Sequence, residues 1–253
     1  MTQFKWTSAS FTHVGLVRAR NEDAFLDQAE RGIWAVADGM GGHAFGDLAS
    51  RRVVEGLARI GMPDSLVKFV ADVRDTLQAV NRQLRVEAAN HHVQIIGSTV
   101  VVLLARHGYC AYLWAGDSRI YLCRNGKLIQ LTRDHSQLEE LKASGNLSSE
   151  DMINLPSRGI ITRAVGAAST LDLDSDTMET HDGDMFLLCS DGLSNEVSEQ
   201  EMCSALVPGD CQQASDALIA MALQRGGHDN ISAVVVRIDD IYSADKTVVN
   251  PAL

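Results

Sequence analysis

Four aspartates stand where an apolar run meets a turn: Asp38 after 33–37, Asp117 after 109–115, Asp191 after 185–190, and Asp229 just before 231–238. A carboxylate is an acceptor-only ligand, and several of them carried on the ends of rigid strands make a site for a hard divalent cation. No cluster of histidine and cysteine accompanies them, so oxygen ligation favours Mg2+ or Mn2+ over zinc. The donor set points to metal-assisted hydrolysis.

For any one of these residues the plainer explanation is a turn, because Asp caps a turn and the following Gly tolerates positive φ. Asp182-Gly183 is read as no more than a hairpin turn. Asp38 differs because Asp38-Gly39-Met40-Gly41-Gly42-His43 leaves the backbone free to approach a ligand closely. Asp191 differs because it is read as lying on a strand, in Cys189-Ser190-Asp191-Gly192-Leu193, too apolar to tolerate an unpartnered carboxylate. Ser118 and Ser190 lack a histidine-aspartate pair at suggestive spacing, which disfavours a covalent serine nucleophile.

The elements that must position these side chains are legible as alternating or continuous apolar stretches at 32–37, 99–105, 109–115, 120–123, 185–189 and 231–238, all strand candidates. Only Arg106, His107 and Gly108 separate the second from the third, which predicts an antiparallel hairpin, and Asn125-Gly126 marks another. Helical spacing predicts one helix over 47–60 and a second from an Asp64 cap to about residue 89, with Leu66, Phe69, Val70, Val73, Leu77, Val80 and Leu84 on one stripe. A second pair is predicted over 198–206 and 211–224, stopped by Gly226-Gly227. Helix pairs set between runs of hairpin strands imply an α+β fold with sheets inside and helices outside.

At 253 residues with 45 % hydrophobic side chains, the chain is long enough for one sizeable core, so a single domain is expected over 1–240. An excursion from that core is expected at 136–163, where Gly145-Asn146 breaks one short helix, 148–151 starts another and Pro156 ends it. A polar tail occupies 241–253. Twenty-two basic against 33 acidic residues give a net charge of -11, which disfavours nucleic acid and anionic membranes as partners. Phosphate handling by so acidic a chain would need local cations. The five cysteines are odd in number, form no C-x-x-C pair and lie mostly in apolar runs, and no apolar leader or spanning segment is legible. A cytoplasmic location is the expectation.

Eight short motifs occur in a fixed order: R-x-x-N-E-D at 18–23, V-A-D-G-M-G-G-H at 36–43, G-S-T at 97–99, G-D-S-R at 116–119, T-R-D-H-S at 132–136, I-T-R-A-V-G at 161–166, C-S-D-G-L at 189–193 and H-D-N-I-S at 228–232. In this the chain resembles the metal-dependent type 2C protein serine/threonine phosphatases, the bacterial branch especially, over about residues 15–236. The resemblance implies a four-layer α-β-β-α sandwich of two antiparallel sheets flanked by helix pairs, with two Mn2+ or Mg2+ ions at one end. It assigns Asp38 to both ions, the Gly39 carbonyl to one, and Asp191 with Asp229 to the other. Glu22 and Asp23 would act through water, Asp117 with Asp191 would hold a third ion, and Arg18 would grip the substrate phosphate.

Asp134, His135 and His228 lie in matching motifs and are expected to fix loop geometry by hydrogen bonds. Met40 stands where eukaryotic members place histidine, and a thioether cannot donate a proton. The implied function is hydrolysis of phosphoserine and phosphothreonine in proteins, opposing a bacterial Ser/Thr kinase, by a monomer.

Overall fold

A computed structural model of the chain describes residues 4–40, 45–143 and 160–241. In chain order the strands are β1 (Phe4–His13), β2 (Asp23–Gln28), β3 (Ile33–Met40), β4 (Gly97–Ser98), β5 (Val100–Arg106), β6 (Tyr109–Ala115), β7 (Arg119–Arg124), β8 (Lys127–Gln130), β9 (Asp174–Glu179), β10 (Met185–Cys189) and β11 (Ile231–Asp240). They form two antiparallel sheets, one ordered β1-β11-β10-β7-β8 and the other β2-β3-β5-β6-β9, with β4 paired to the end of β3.

Several strands read as unbroken apolar runs because both of their faces are covered. On β3, Trp34 and Val36 enter the layer between the sheets, while Ile33, Ala35 and Ala37 turn outward beneath helices. On β10, Phe186 and Leu188 meet that same inner layer, and Met185, Leu187 and Cys189 face the other way. The helices are α1 (Gly46–Ala58), α2 (Leu66–Asn90), α3 (Gln137–Ala143), α4 (Asp191–Ser194), α5 (Glu199–Leu206) and α6 (Cys211–Gln224). Helices α1 and α2 cover the second sheet with Val53, Leu57, Phe69, Val73, Leu77 and Leu84, and α5 and α6 cover the first with Met202, Leu206, Ala214 and Leu218. The expected four-layer α-β-β-α sandwich is therefore the observed architecture.

Local details differ from the sequence expectation in identifiable ways. The cap of α2 is Ser65, whose side chain accepts from the Lys68 amide at 3.2 Å, and not Asp64. Asp191 does not lie on a strand but opens the short helix α4 just past β10. Asp182-Gly183 joins β9 to β10, which belong to different sheets, so it makes a turn but no hairpin. Strands β1, β2 and β9 carry no apolar run and were not expected, whereas β8 is the returning arm of the hairpin that Asn125-Gly126 marks, with Arg124 paired to Lys127. Of the excursion, 136–143 and 160–163 are described; the break at Gly145-Asn146, the helix start at 148–151, Pro156, His43 and the tail beyond Ile241 lie outside the described residues. All five cysteines are free.

The segment returning from the excursion is laid along α2 by polar anchors: the Gly166 amide donates to Asn81 Oδ1 at 2.6 Å, and Gln78 and Arg74 donate to the carbonyls of Leu171 and Leu173. Leu77 sits in the same helix, fully buried in the core beneath it. Leu77→Ala is expected to cost about 2–5 kcal/mol in a urea melt; a loss well under 1 kcal/mol would contradict the packing described.

Candidate metal centre

The two-residue period of β3 that sends Trp34 and Val36 between the sheets sends Asp38 to the same layer at its open end. Directly opposite, in register on β2, stands Asp23. Like charges facing each other across a strand pair repel. The other sheet supplies part of the compensation: Ser190 Oγ, just past β10, and Ser232 Oγ on β11 each donate to Asp23 Oδ2 at 2.7 Å. Ser190 Oγ also accepts from the Ser232 amide at 3.0 Å, a bond within the first sheet that fixes the hydroxyl as it donates across to Asp23. Asp23 Oδ1 is buried with no hydrogen-bond partner.

Asp38 is pinned through its backbone. Its amide donates to Thr99 Oγ1 at 3.0 Å, and its carbonyl accepts from Ser98 Oγ at 3.0 Å and from the Thr99 amide at 2.9 Å. The Gly39 amide donates to the Glu22 carbonyl at 3.0 Å. A Cβ at Gly46, the first residue of α1, would lie 2.6 Å from the Glu22 carboxyl carbon and 2.8 Å from the Gly39 carbonyl oxygen. Glycine at that position therefore lets a carboxylate and a carbonyl crowd the helix start, a close approach no side chain would permit.

From the first sheet come Asp191 and Asp229. Asp191 Oδ2 accepts from Asn195 Nδ2 at 3.2 Å. Asp229 Oδ2 accepts from Arg18 Nη2 at 2.6 Å, in a pair that is largely solvent-exposed. Asn230 ties this corner together: its Oδ1 accepts from the Glu22 amide at 2.7 Å, and its Nδ2 donates to the carbonyls of Val14 and Arg20 at 2.8 and 2.9 Å. Sequence reasoning assigned no role to Asn230, Ser232, Ser98 or Thr99, although all four lie inside quoted motifs.

Asp117 follows β6 and has a buried, unpartnered Oδ1. With Asp191 it lines a cleft of about 680 Å³ whose other walls include Arg119, Asp134, Ser136, Glu139 and Lys142. Arg119 donates to both carboxylate oxygens of Asp134 and so is not free to meet a ligand.

These carboxyls perturb one another. Asp38 is held well above the usual carboxylate range by burial first, then by Asp23, Asp191, Asp117 and Asp229. Asp23 is pushed up to about 7 by burial, against the lowering effect of its two serine hydrogen bonds. Asp117 is pushed up to about 7 by burial and then by Asp191 and Asp134. Asp191 is raised by burial and by Asp229. Among the described residues no three His, Cys, Asp or Glu side chains are drawn close enough to cage an ion, so the acids converge more loosely than a finished coordination shell. A hard divalent cation nevertheless fits this donor set: oxygen ligands only, two buried carboxylate oxygens without partners, and an excess of negative charge that a cation would relieve.

The fold and this acidic corner define a binuclear-type metallohydrolase scaffold, and comparison with known proteins specifies which. The family model described as Protein phosphatase 2C matches residues 16–225, and the chain belongs to that family. It is 36 % identical to the serine/threonine protein phosphatase PstP of Mycobacterium tuberculosis over 89 % of its length, although it spans only 44 % of PstP. It is 35 % identical to the serine/threonine phosphatase stp of Listeria monocytogenes, covering 90 % of this chain and 94 % of that one. Among solved structures, PppA of Pseudomonas aeruginosa superposes with a TM-score of 0.86 at 43 % identity, covering 92 % of this chain and 97 % of PppA. The catalytic domain of PstP in complex with two manganese ions superposes with a TM-score of 0.81 at 33 % identity, covering 94 % of this chain and all of that one.

A carboxyl whose folded pKa of about 7 exceeds its unfolded value near 4 binds more protons in the folded state between those limits. Its contribution to stability therefore declines as pH rises through that window. In EDTA, Asp23→Asn, which keeps an acceptor for Ser190 and Ser232 but cannot ionise, is expected to melt progressively above the parent as pH goes from 5 to 8. Equal pH dependence of the two melting temperatures would show that the Asp23 charge is not the strained group.

Proposed function

We propose that this chain hydrolyses phosphoserine and phosphothreonine monoesters in proteins, with Mn2+ or Mg2+ as cofactor. Asp38 would serve both ions, the Gly39 carbonyl one of them, and Asp191 with Asp229 the other. Glu22 and Asp23 would act through water, and Asp117 with Asp191 would hold a third ion. The observation that carries this reading is that Asp38 is raised by burial and then by four other carboxylates from both sheets, in a chain of the protein phosphatase 2C family. When bound, such ions supply Lewis acidity and an acidified water as nucleophile.

The protein's own groups do the rest. The Arg18 guanidinium is exposed and pairs with Asp229 in a surface contact worth at most about 1 kcal/mol, so it can swing a planar fork onto two oxygens of a phosphate dianion. Ser190 and Ser232 hold Asp23 Oδ2 and leave Oδ1 without a protein partner, where it would accept from a metal-bound water. Thr99 and Ser98 keep Asp38 from drifting as charge is gained or lost.

The partners we propose are phosphoproteins, set against a cognate Ser/Thr kinase, met in the cytoplasm by a monomeric enzyme. No helix among the described residues is long and apolar enough to cross a membrane, and the net charge of -11 opposes docking to polyanions. PppA is a key regulatory component of T6SS in Pseudomonas aeruginosa, which favours a regulatory phosphoprotein as substrate here.

With para-nitrophenyl phosphate and a phosphothreonine peptide, turnover is expected to require Mn2+, to vanish in EDTA, and to fall more than about a hundredfold in Asp191→Ala, beyond the loss typical of a group that merely supports a ligand. EDTA-resistant turnover would refute the reading. Arg18→Ala should raise KM about 10- to 100-fold, the worth of a charge-assisted bond of about 1.5–3 kcal/mol. An unchanged KM would remove Arg18 from substrate binding.

A further inference from the structure

His135 is the one buried histidine that the proposed chemistry does not use, and three parts of the site meet on it among the described residues. Its backbone amide donates to the Gly116 carbonyl at 2.8 Å, and the Gly116 amide donates back to His135 Nδ1 at 3.2 Å, so one residue grips both backbone polar groups of Gly116, the residue before Asp117. Because Nδ1 accepts, the ring proton sits on Nε2 and is donated to Asp174 Oδ2 at 3.1 Å. Asp174 Oδ1 in turn accepts from Arg163 Nη1 at 3.0 Å. The His135 carbonyl accepts from the Thr162 amide at 2.8 Å, and the next residue, Ser136, bridges Ile161. Trp114 stacks on the imidazole with ring centroids 6.0 Å apart and planes 11° apart.

Gly116 is the residue such a grip needs. Its φ is +113°, and a Cβ there would strike the Thr99 side chain at 2.6 Å, the same threonine that receives the Asp38 amide. The peptide is thus confined between Thr99 on one side and His135 on the other, with little freedom left to the carboxylate that follows. A buried histidine whose only task was to be satisfied would not need to contact both ends of the 136–163 excursion as well.

We infer that His135, oriented by Asp174 and Arg163, is a positioning residue that fixes the Asp117 loop for a divalent cation and couples that loop to the two ends of the excursion. The inference rests on Asp117 being an ion ligand, as proposed above. Asp117 would ligate the ion and His135 would not, which is the relation of a ligand to the outer group that holds it.

The test uses the full chain and two readouts apart from turnover: calorimetric MnCl2 titration, and amide hydrogen exchange over 115–118 and 160–163. His135→Ala is expected to speed exchange in both segments and to weaken the Asp117-dependent Mn2+ step by about tenfold, with the tighter steps unchanged. His135→Asn, whose Oδ1 can still accept from the Gly116 amide, should restore 115–118 and the Mn2+ step but not 160–163. Asp174→Asn, at a half-exposed site and milder to folding, should speed exchange at 160–163 most. Parent-like exchange at Gly116 in His135→Ala, or in Asp174→Asn at 160–163 should the alanine variant not fold, overturns the inference, as does a Mn2+ titration of His135→Ala identical to the parent. Asp117→Ala separates the two readings: if its titration matches the parent, the third-ion assignment fails by itself, while the exchange data still decide whether His135 sets the loop.

Discussion

Between the sheets, the two-residue period that delivers Trp34 and Val36 to a dry layer goes one step further and delivers Asp38, and β2 sets Asp23 directly against it. Asp191, Asp229 and Asp117 arrive at the same edge from other strand ends, and each raises the proton affinity of Asp38. Carboxylates so placed cost stability wherever they ionise without a countercharge. Every neighbouring feature of the site can be understood as holding this repulsion in a usable shape, and a pair of hard cations is the countercharge that turns it into binding energy.

The sandwich architecture makes that arrangement possible. Two sheets buried on both faces give rigid strand ends, and hydroxyls from one sheet reach the carboxylate of the other: Ser190 and Ser232 to Asp23, with Thr12 in turn bonded to Ser232. Backbone groups of the loops are tied down by Asn230, Asn21, Ser98 and Thr99 instead of being left to bend toward the charge. Glycine at 39 and 46 lets the Glu22 segment lie against the start of α1. The site is thus assembled from elements far apart in sequence, and its stiffness comes from the layers beneath it.

How much of this was legible beforehand depended on whether an element carried a pattern. Strands β6 and β10 and helix α6 run between the residues expected, because apolar runs flanked by turn or cap residues define them. Strand β9, Asp-Ser-Asp-Thr-Met-Glu, lies at a sheet edge with its side chains mostly exposed, so burial imposed no alternation to read. Strand β2 was missed for a related reason: it is an edge strand of Asp-Ala-Phe-Leu-Asp-Gln, and one of its acids serves the site and not the core. Asp38, Asp117, Asp191 and Asp229 were singled out from their places at strand ends and from the ordered motifs, and they lie near enough to perturb one another without closing into a coordination shell among the described residues. His135 was expected to fix loop geometry by hydrogen bonds, but its partners Gly116, Asp174 and Thr162 and the Arg18–Asp229 pair were not foreseen, since they depend on which loops fold over one another, a property of the tertiary structure that spacing along the chain does not encode.

The central claim is that acids from both sheets meet around two hard cations. Anomalous scattering from crystals soaked in manganese tests it most directly. Two strong peaks a few ångströms apart, each within about 2.0–2.6 Å of oxygens from Asp38, Asp191, Asp229 or the Gly39 carbonyl, are the predicted result. Density free of anomalous signal at that edge, with Asp191 still on Asn195 and Arg18 still on Asp229, would contradict it.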